Sequence, residues 1–428
     1  KPLFPEDQHR AFNMVKFAQP PLIHAEAWGN WIDDSRLGVI GSIAATNFFI
    51  KEQAFTDIAG NFQITNSLIH CSNVVAHRGK EEARAPYLRI DLPGEVMFVT
   101  NIVSTIDPYI AMSLVGDEAY EAIDPYRFAV TPTVRVNGIV PLRHWNKADL
   151  RFEVAGNEFS FWKFHLPSLV GEVHWRANHI MFSNVVANFY GGKARWSGHF
   201  IVDPRQGEDY ANFSFYAQTT NTELKYLVAD LTGRTNHMEG ILSGELVITS
   251  ANTKNDRTWN GFGHANLEDG FLWNVPIFGV FSPILDGIAP GLGGSRISSG
   301  SGTFNVTNSV IHTSDMQVRA AAFRLAYKGQ VDLDGNLDAN VEALILRDAW
   351  VLGKLFSIAL WPVSKAFEAR ISGTLDAPKT DLRYVPKFLL APFRALNTLA
   401  NPPQNKSPSS NNLQEQDAQP SPARKTTP

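Results

Sequence analysis

The chain has 428 residues, of which 44% are hydrophobic, so it is long enough for two or three domains with large cores. Its 38 Lys and Arg residues are set against 42 Asp and Glu residues, a formal net charge of −4. That balance excludes the basic excess that a nucleic-acid partner needs. The single cysteine, Cys71, excludes an internal disulfide and a zinc site built from several cysteines.

The N-terminal residues do not form a targeting signal. The opening stretch, KPLFPEDQHR, lacks an initiator Met and the apolar core of a signal peptide. No run reaches the roughly 18 apolar residues that a transmembrane helix needs. We therefore expect the chain to be the C-terminal part of a longer protein, in which residues 1–20 lead into the first structured unit.

An internal repeat organises most of the chain. Residues 37–76 align without a gap on residues 148–187, at an offset of 111. The phrase GNFQITNSLIH at 60–70 returns as GTFNVTNSVIH at 302–312. Since tandem similarity indicates one structural unit used several times, the sequence predicts three units. They span residues 21–131, 132–250 and 251–386.

The repeated phrase predicts a hairpin. In the first copy Phe62 and Ile64 share one face, TNS forms the turn, and Ile69 begins the returning strand. The corresponding apolar pairs are Val173 with Trp175 in the second copy and Phe304 with Val306 in the third.

Two histidines, His70 and His312, end the first and third copies of the phrase. Each follows an apolar-face isoleucine, so we expect each on the opposite, polar face. The second copy carries Met181 at the same position, so the repeat does not require an imidazole. Spacing also argues against a zinc site at three further histidines of the second unit, which are His165, His174 and His179. We predict no metal and no cofactor.

Alternation with a period of two predicts strands with one apolar face in the second and third units. In the second unit the apolar positions are Ala194, Trp196, Phe200 and Val202. In the third they are Phe323, Leu325, Tyr327, Val331 and Leu333 before an Asp-Gly turn, and Leu337, Val341 and Ile345 after it. Asp-Gly between two alternating runs is a strong hairpin signal.

Short helices are predicted at three places between the strands. They cover residues 222–233, about 348–360, and an amphipathic insertion in the third unit from about Pro276 to Ile288, ended by Pro290 and Gly291. The glycine-rich run that follows, GLGGSRISSGSG, is interpreted as a flexible connector. Strands far outnumber these helices, so the fold class is mainly β: an elongated antiparallel sheet.

The C-terminal residues divide into two segments. Residues 387–400 are amphipathic and are predicted to form a helix that either caps the last strand edge or docks on a membrane or partner. Its apolar side chains include Phe388, Leu389, Phe393 and Leu396. Residues 401–428 contain too few apolar side chains to offset the entropy of ordering, so they are predicted to be disordered.

A sheet with one apolar face must bury that face, close into a barrel, or cover the face with something other than protein. Two interpretations follow for this chain. One is a β-sandwich or β-solenoid with an ordinary protein core. The other is a long open trough lined by apolar side chains that hold lipid chains.

Four stretches resemble, in the same order, the AsmA-like family of Gram-negative envelope proteins. They are FYGGKARWSGHFIVD, MEGILSGELVIT, the run from Gly300 to Val341, and ISGTLDAPKTDLRYVP, and the resemblance covers about residues 131–386. It implies a twisted, taco-like β-groove in the periplasm, attached to the inner membrane through an upstream anchor absent from this chain. It also implies phospholipid as the ligand and an outer-membrane protein as a candidate partner at the C-terminal end.

The leading hypothesis is therefore a periplasmic lipid-conduit segment that serves outer-membrane biogenesis. The alternatives are a scaffold or chaperone for outer-membrane protein assembly and, less well supported, a polysaccharide-binding β-solenoid. No nucleophile elbow or Cys/His pair supports an enzyme, and the family offers no catalytic residues to carry over.

Overall fold

A computed structural model describes nine stretches of the chain: 15–29, 37–115, 126–142, 147–161, 163–207, 210–233, 238–288, 290–346 and 365–384. Within them the strands form one open antiparallel sheet of 22 strands with a few short helices. The predicted mainly-β class and single continuous sheet are confirmed. The predicted helix at 348–360, the amphipathic segment 387–400 and the tail 401–428 lie outside the described residues.

The first unit is a meander whose opening strand is interrupted. β1 and β2 both pair with β3, so they are two halves of one strand position. The strands of this unit are β1 (Val15–Phe17), β2 (Leu22–Gly29), β3 (Leu37–Ile50), β4 (Gln53–Thr65), β5 (Leu68–Arg78), β6 (Glu81–Asp91) and β7 (Val96–Ser104).

The second unit repeats this order. β8 and β9 both pair with β10, as β1 and β2 pair with β3, and β9 also joins β7 of the first unit. The strands are β8 (Tyr126–Phe128), β9 (Thr133–Pro141), β10 (Asp149–Phe161), β11 (Phe164–Arg176), β12 (His179–Phe189), β13 (Gly192–Val202) and β14 (Ala211–Glu223).

The third unit continues the same meander to the far edge of the sheet. Its strands are β15 (Glu239–Asn252), β16 (Asn260–Phe271), β17 (Ile297–Thr307), β18 (Val310–Ala320), β19 (Phe323–Asp332) and β20 (Asn336–Ile345), followed by β21 (Lys365–Thr374) and β22 (Pro378–Tyr384). β15 joins β14 to β16 as β9 joins β7 to β10. The predicted boundary at residue 250 therefore cuts a strand, and the third unit is better begun at Glu239.

The backbone carries the repeat as clearly as the sequence does. β3, β10 and β16 each contain one non-glycine residue in the left-handed region, at Asn47 (φ 49°), Glu158 (φ 51°) and Asp269 (φ 50°). Successive members are 111 residues apart, which is the offset read from the sequence. Each position is a bulge at which the strand slips against the strand position that precedes it in the sheet.

The repeated TNS triplet forms the predicted turn. Asn66 and Ser67 have φ of 53° and 60°, and Asn308 and Ser309 have φ of 49° and 67°. Two successive left-handed residues make the primed turn that matches strand twist. The flanking pairs are Ile64 with Ile69 and Val306 with Ile311, so the hairpin prediction is confirmed.

The glycine that opens each copy of the phrase lies beneath a second bulge. A Cβ on Gly60 would lie 2.9 Å from Val74 Cγ2, and one on Gly171 would lie 2.9 Å from Val185 Cγ2. In the third copy a Cβ on Gly302 would lie 2.8 Å from the Met316 Cα. The phrase is therefore kept because two bulged strands approach each other at its glycine, a requirement of backbone packing.

All the described α-helices lie at the end of the sheet opposite to the TNS turns. α1 (Pro108–Val115) follows β7, α2 (Leu224–Thr232) follows β14, and α3 (Pro276–Gly279) and α4 (Ser282–Ile288) lie between β16 and β17. α2 confirms one predicted helix. The predicted insertion helix is present as two short helices, α3 and α4, separated at Val280 and Phe281.

The second half of the glycine-rich run after this insertion is a strand and not a connector. From Ile297 onward it is β17, and its Gly300 pairs with Leu267 and Val318. Glycines in a strand usually weaken it. Here Gly302 is needed beneath the bulge, so glycine content alone gave a misleading prediction.

We expect Gly171→Ala to lower the free energy of unfolding by about 1–3 kcal/mol, because the added methyl overpacks the Val185 contact. Gly198→Ala is the matched control on the next strand but one, since its Cβ would meet nothing closer than 3.5 Å. Urea denaturation of both variants checks this. Equal destabilisation would show that the bulge contact is not what requires glycine.

Candidate functional site

The predicted apolar positions do share one face of the sheet, here called the apolar face. Cross-strand pairing continues the apolar face from one strand to the next: Trp175 pairs with Ile180, Ile180 with Phe200, and Phe200 with Phe213. The ring centroids of Phe200 and Phe213 are 5.3 Å apart. The same alternation places the following predicted residues on this face: Phe62, Ile64, Val173, Ala194, Trp196, Val202, Phe304, Val306, Phe323, Leu325, Tyr327, Val331, Leu337, Val341 and Ile345.

Leu333 is the exception, and its predicted place on a strand is wrong. β19 ends at Asp332, and Leu333 lies in the turn with 51% of its surface exposed. The Gly335 N–H donates to the Asp332 carbonyl at 3.0 Å, and Gly335 has φ of 84°. A longer turn with a glycine bulge thus replaces the two-residue Asp-Gly turn, which removes Leu333 from the alternation.

The opposite, polar face carries ordinary cross-strand polar contacts. His70 Nδ1 lies 2.6 Å from the Tyr87 hydroxyl, and His70 pairs with Gln63 and Arg89 in register. His77 lies between Asp57, at 2.8 Å, and Glu82, at 3.4 Å. His312 pairs with Asn305 and Gln330. His70 and His312 are therefore on the polar face, as predicted.

The three histidines of the second unit have separate partners. His174 Nε2 lies 2.7 Å from Asp149 Oδ1, and His165 Nε2 lies 3.1 Å from Glu158 Oε2. His179 Nδ1 lies 2.8 Å from His199 Nε2. A turn between His174 and His179 leaves both on the polar face. Among the described residues, no group of three or more His, Cys, Asp or Glu side chains is placed to hold a metal ion.

A shallow cleft of about 610 Å³ lies between α2 and the β12–β13 turn. In it the Tyr190 hydroxyl donates to Asp230 Oδ2 at 2.5 Å and accepts from the His165 N–H at 3.2 Å. Burial, followed by the Asp230 hydrogen bond, raises the pKa of Tyr190 well above its usual range. The phenol thus stays protonated and ties α2 to the sheet.

Near the TNS turns of the first two units, several large side chains of the apolar face are only partly buried. Phe62, Val173, Trp175, Phe200 and Phe213 all retain intermediate exposure. The strand register places Arg78 and Glu81 on this face, at the helix-bearing end, and they pair with each other at 3.2 Å. Near the TNS turns the face consists of aliphatic and aromatic side chains, and this part of it, from Phe62 to Phe213, is here called the lane.

At the helix-bearing end of the first unit, protein covers the apolar face. Phe48 and Phe55 stack with centroids 5.3 Å apart, and they belong to a cluster with Ile106. Ile110 and Leu114 of α1 pack against this cluster. α1 therefore closes one side of the face and leaves the lane near the TNS turns uncovered by helix.

In the third unit an insertion covers the helix-bearing end of the apolar face. The insert, residues 272–296, includes α3 and α4, and Phe281 and Leu285 in it are completely buried. Phe281 stacks on Phe367 at 5.5 Å, and Phe278 meets Tyr327 edge-on at 5.5 Å. Phe323 packs against Trp273 of the insert, with centroids 5.8 Å apart.

The insert is also closed on itself. The Asp286 carboxylate accepts from the Gly291 and Gly293 N–H groups at 3.0 and 2.9 Å. The Trp273 indole donates to the Ser295 carbonyl at 2.8 Å. The Asp286 contacts close the loop that follows α4, and the Trp273 contact joins the two ends of the insert.

Four residues predicted to line an open trough therefore lie in a protein core. Phe323 and Leu325 are 0% exposed, Val341 is 1% exposed and Tyr327 is 5% exposed. Their place on the apolar face is confirmed, but the insert occupies the space in front of it. The sequence showed an amphipathic insertion without showing which surface its apolar side would cover.

Tyr327 brings a polar hydroxyl group into this core. Its hydroxyl is buried and makes no hydrogen bond within the described residues, and burial raises the pKa of Tyr327 well above its usual range. An unpaired buried hydroxyl costs about 1–3 kcal/mol. The ring of Tyr327 packs edge-on against Phe278 and Phe281.

The sequence-based reasoning missed Cys71. The cysteine pairs with Phe62 and Leu88 in register, so it lies on the apolar face in the middle of the first unit. It is half-buried, and burial raises the pKa of its thiol. Its spacing of two from Ile69 was a signal that could have placed it there.

Comparisons with protein-family models, curated proteins and solved structures found no match. Among the described residues, no helix combines the length and the apolar character needed to cross a bilayer. The resemblance to the AsmA-like family therefore stays a prediction.

Replacing Leu325 by Asp should lower the free energy of unfolding by about 3 kcal/mol or more, because the carboxylate would be buried beneath the insert without a partner. Leu333→Asp, in the exposed turn of the same hairpin, should change it by less than about 0.5 kcal/mol. Urea denaturation followed by the fluorescence of Trp273 and the other tryptophans reports both. Tolerance of Asp at both positions would contradict the packing of the insert.

Proposed function

We propose that this chain is a segment of a lipid conduit that shields phospholipid acyl chains on the apolar face of its first two units. The observation that supports this most is the contrast along one face. Near the TNS turns, side chains such as Phe62, Trp175 and Phe200 stay partly exposed, whereas the insert seals the helix-bearing end of the face in the third unit. Large contiguous apolar surfaces on proteins usually mark sites of interaction.

The energetics favour acyl chains as the occupant. Exposing a lipid tail to water costs about 0.8 kcal/mol per methylene, so one sixteen-carbon chain costs on the order of 12 kcal/mol. A face of Phe, Ile, Val and Trp side chains offsets much of this cost without specific hydrogen bonds. With strands about 4.8 Å apart, the sheet extends on the order of 100 Å, so several lipids fit along it.

The chemistry of the face disfavours polysaccharide. A sugar site needs carboxylates, amides and aromatic rings together, whereas the aromatic Phe200 and Phe213 here neighbour the apolar residues Ile180, Phe182, Ala251 and Trp259. The acidic side chains Asp57, Glu153 and Asp338 lie on the polar face, where they pair with His77, Arg135 and Arg370. Apart from the Arg78–Glu81 pair at the helix-bearing end, the charged side chains named here lie on the polar face.

The resemblance to the AsmA-like family supports a setting for this activity. In it the protein lies in the periplasm, is anchored in the inner membrane by an upstream segment, and serves outer-membrane biogenesis with an outer-membrane protein at its C-terminal end. A scaffold for outer-membrane protein assembly is the second candidate, because an exposed apolar sheet face also suits unfolded polypeptide. The experiments below separate the two.

Photo-crosslinking tests the occupant directly. A benzophenone side chain at Phe200, on the apolar face, should capture phospholipid when the purified protein meets vesicles of phosphatidylethanolamine and phosphatidylglycerol. The same side chain at Ser197, on the polar face of the same strand, should capture several-fold less, and at Leu325 it should capture none because the insert covers it. Equal capture at Phe200 and Ser197 would contradict the conduit, and capture of an unfolded outer-membrane protein in place of lipid would favour the scaffold.

Cys71 offers a test without an introduced probe. Bound acyl chains should slow its reaction with a maleimide at least threefold, because they cover the thiol and disfavour the thiolate. The matched control is Cys71→Ser combined with Ser72→Cys, which moves the thiol to the opposite face. Protection of both positions by the same vesicles would indicate nonspecific coating, and protection of neither would overturn the proposal.

A further inference from the structure

In the part of the chain that the structure describes, the first edge of the sheet is a strand with one free side. Within the described residues β2 pairs only with β3, and all eight of its residues are exposed. Leu22, Ile23 and Trp28 are 61%, 53% and 48% exposed. An edge strand presents unpaired N–H and C=O groups to another strand, and proteins usually blunt such edges.

The repeat shows what such an edge pairs with elsewhere in the molecule. β9 is the counterpart of β2, since Ala25 pairs with Gly41 as Val136 pairs with Phe152, each 111 residues further on. The other edge of β9 is covered by β7, in which Val99 pairs with Gly138 and Ile102 with Val136. The third unit is built in the same way, with β14 on the corresponding edge of β15.

A bulge marks both of these covering strands. Asn101 in β7 has φ of 54° and Asn221 in β14 has φ of 56°. In each case the N–H of the bulged Asn donates to a side chain of the strand it covers. Asn101 N donates to Asn137 Oδ1 at 2.7 Å, and Asn221 N donates to Ser243 Oγ at 3.1 Å.

β2 has an acceptor at the corresponding place. Asn137 pairs with Arg151, and Glu26 pairs with Ile40, so Glu26 occupies the position of Asn137 in the repeat. Glu26 is exposed, and a carboxylate accepts a backbone N–H more strongly than an amide does. Ile23, Ala25 and Ala27 also continue the apolar face to this edge, as Val134, Val136 and Gly138 do in β9.

We propose that the free edge of β2 docks one more antiparallel strand of the β7 type, supplied by a further six-stranded unit of this repeat. That strand has apolar residues at alternate positions and one left-handed bulge residue, whose N–H is accepted by Glu26. The docking extends the apolar face by hydrogen-bonded strand addition. It does not depend on what the face binds.

The last strand of a second copy does not fit this description. β22 ends the described sheet, and none of its residues from Pro378 to Tyr384 has a left-handed backbone. It therefore lacks the bulge that Glu26 would satisfy. Pro378 also lacks the N–H that a paired strand donates.

Register-specific disulfide trapping tests the docking. The probe is a synthetic peptide with the sequence of residues 95–105, carrying appended lysines for solubility and Ile102→Cys. The protein is the chain with Cys71→Ser and Ala25→Cys, where Gly41 opposite leaves room for the thiol. By the β7–β9 register these two cysteines face each other, so we expect a bond at least tenfold faster than with a Val103→Cys peptide, whose thiol lies on the other face. Equal rates, or no bond with either peptide, would overturn the proposal.

A double-mutant cycle tests the role of Glu26. Fluorescence anisotropy should show that Glu26→Ala weakens binding of the unsubstituted peptide at least threefold, with no effect on a peptide from which Asn101 is deleted. Equal weakening of both peptides would remove Glu26 from the bulge contact. Sedimentation of the unmodified chain should show no self-association through β2. A dimer abolished by Ala25→Pro would make a second copy the occupant and contradict the proposal.

Discussion

A single-layer antiparallel sheet has an apolar face that its own strands cannot cover, and most features of this protein follow from that constraint. The backbone groups are satisfied within the ladder, so the sheet can grow one strand at a time. Its side chains alternate, so each added strand lengthens the uncovered apolar face. α1 covers one end of this face in the first unit, and the insert covers the helix-bearing end of the face in the third. The lane from Phe62 to Phe213 receives neither.

The repeated phrase shows how such a sheet is kept regular. Each unit places left-handed residues and a glycine at fixed positions, so the strands slip by the same amount in every unit. A bulge increases local twist, and repeating it at one offset spreads that twist evenly along the sheet. The glycine that opens each copy, at Gly60, Gly171 and Gly302, is thus required by the backbone. Function enters through the side chains between these positions.

Periodicity predicted most of this architecture because alternation is a local signal. The strands around Phe200 and Leu325 and the TNS turns could be predicted from short stretches of sequence, and the offset of 111 from comparing such stretches along the chain. The remaining features depend on contacts between distant residues. Phe281 packs against Phe367 and so closes the helix-bearing end of the third unit, but no sequence pattern predicts that these two residues are in contact. Leu333 was misplaced for a smaller reason, since one extra turn residue changes which side chains alternate.

The connections between β3 and β4, between β10 and β11, and between β16 and β17 are equivalent in the repeat but differ in length. This difference determines which unit carries an insert over its apolar face. In the first unit it is a tight turn at Lys51 and Glu52, and in the second it is equally short, around Lys163. In the third it is the insert, whose Phe281 and Leu285 are completely buried. If folding required a protein cover over every unit, the same connection would carry an insert in all three. Because β16–β17 alone among them has one, the cover that the insert provides is confined to the third unit, and in the first two units apolar side chains near the TNS turns, such as Phe62 and Phe200, stay partly exposed.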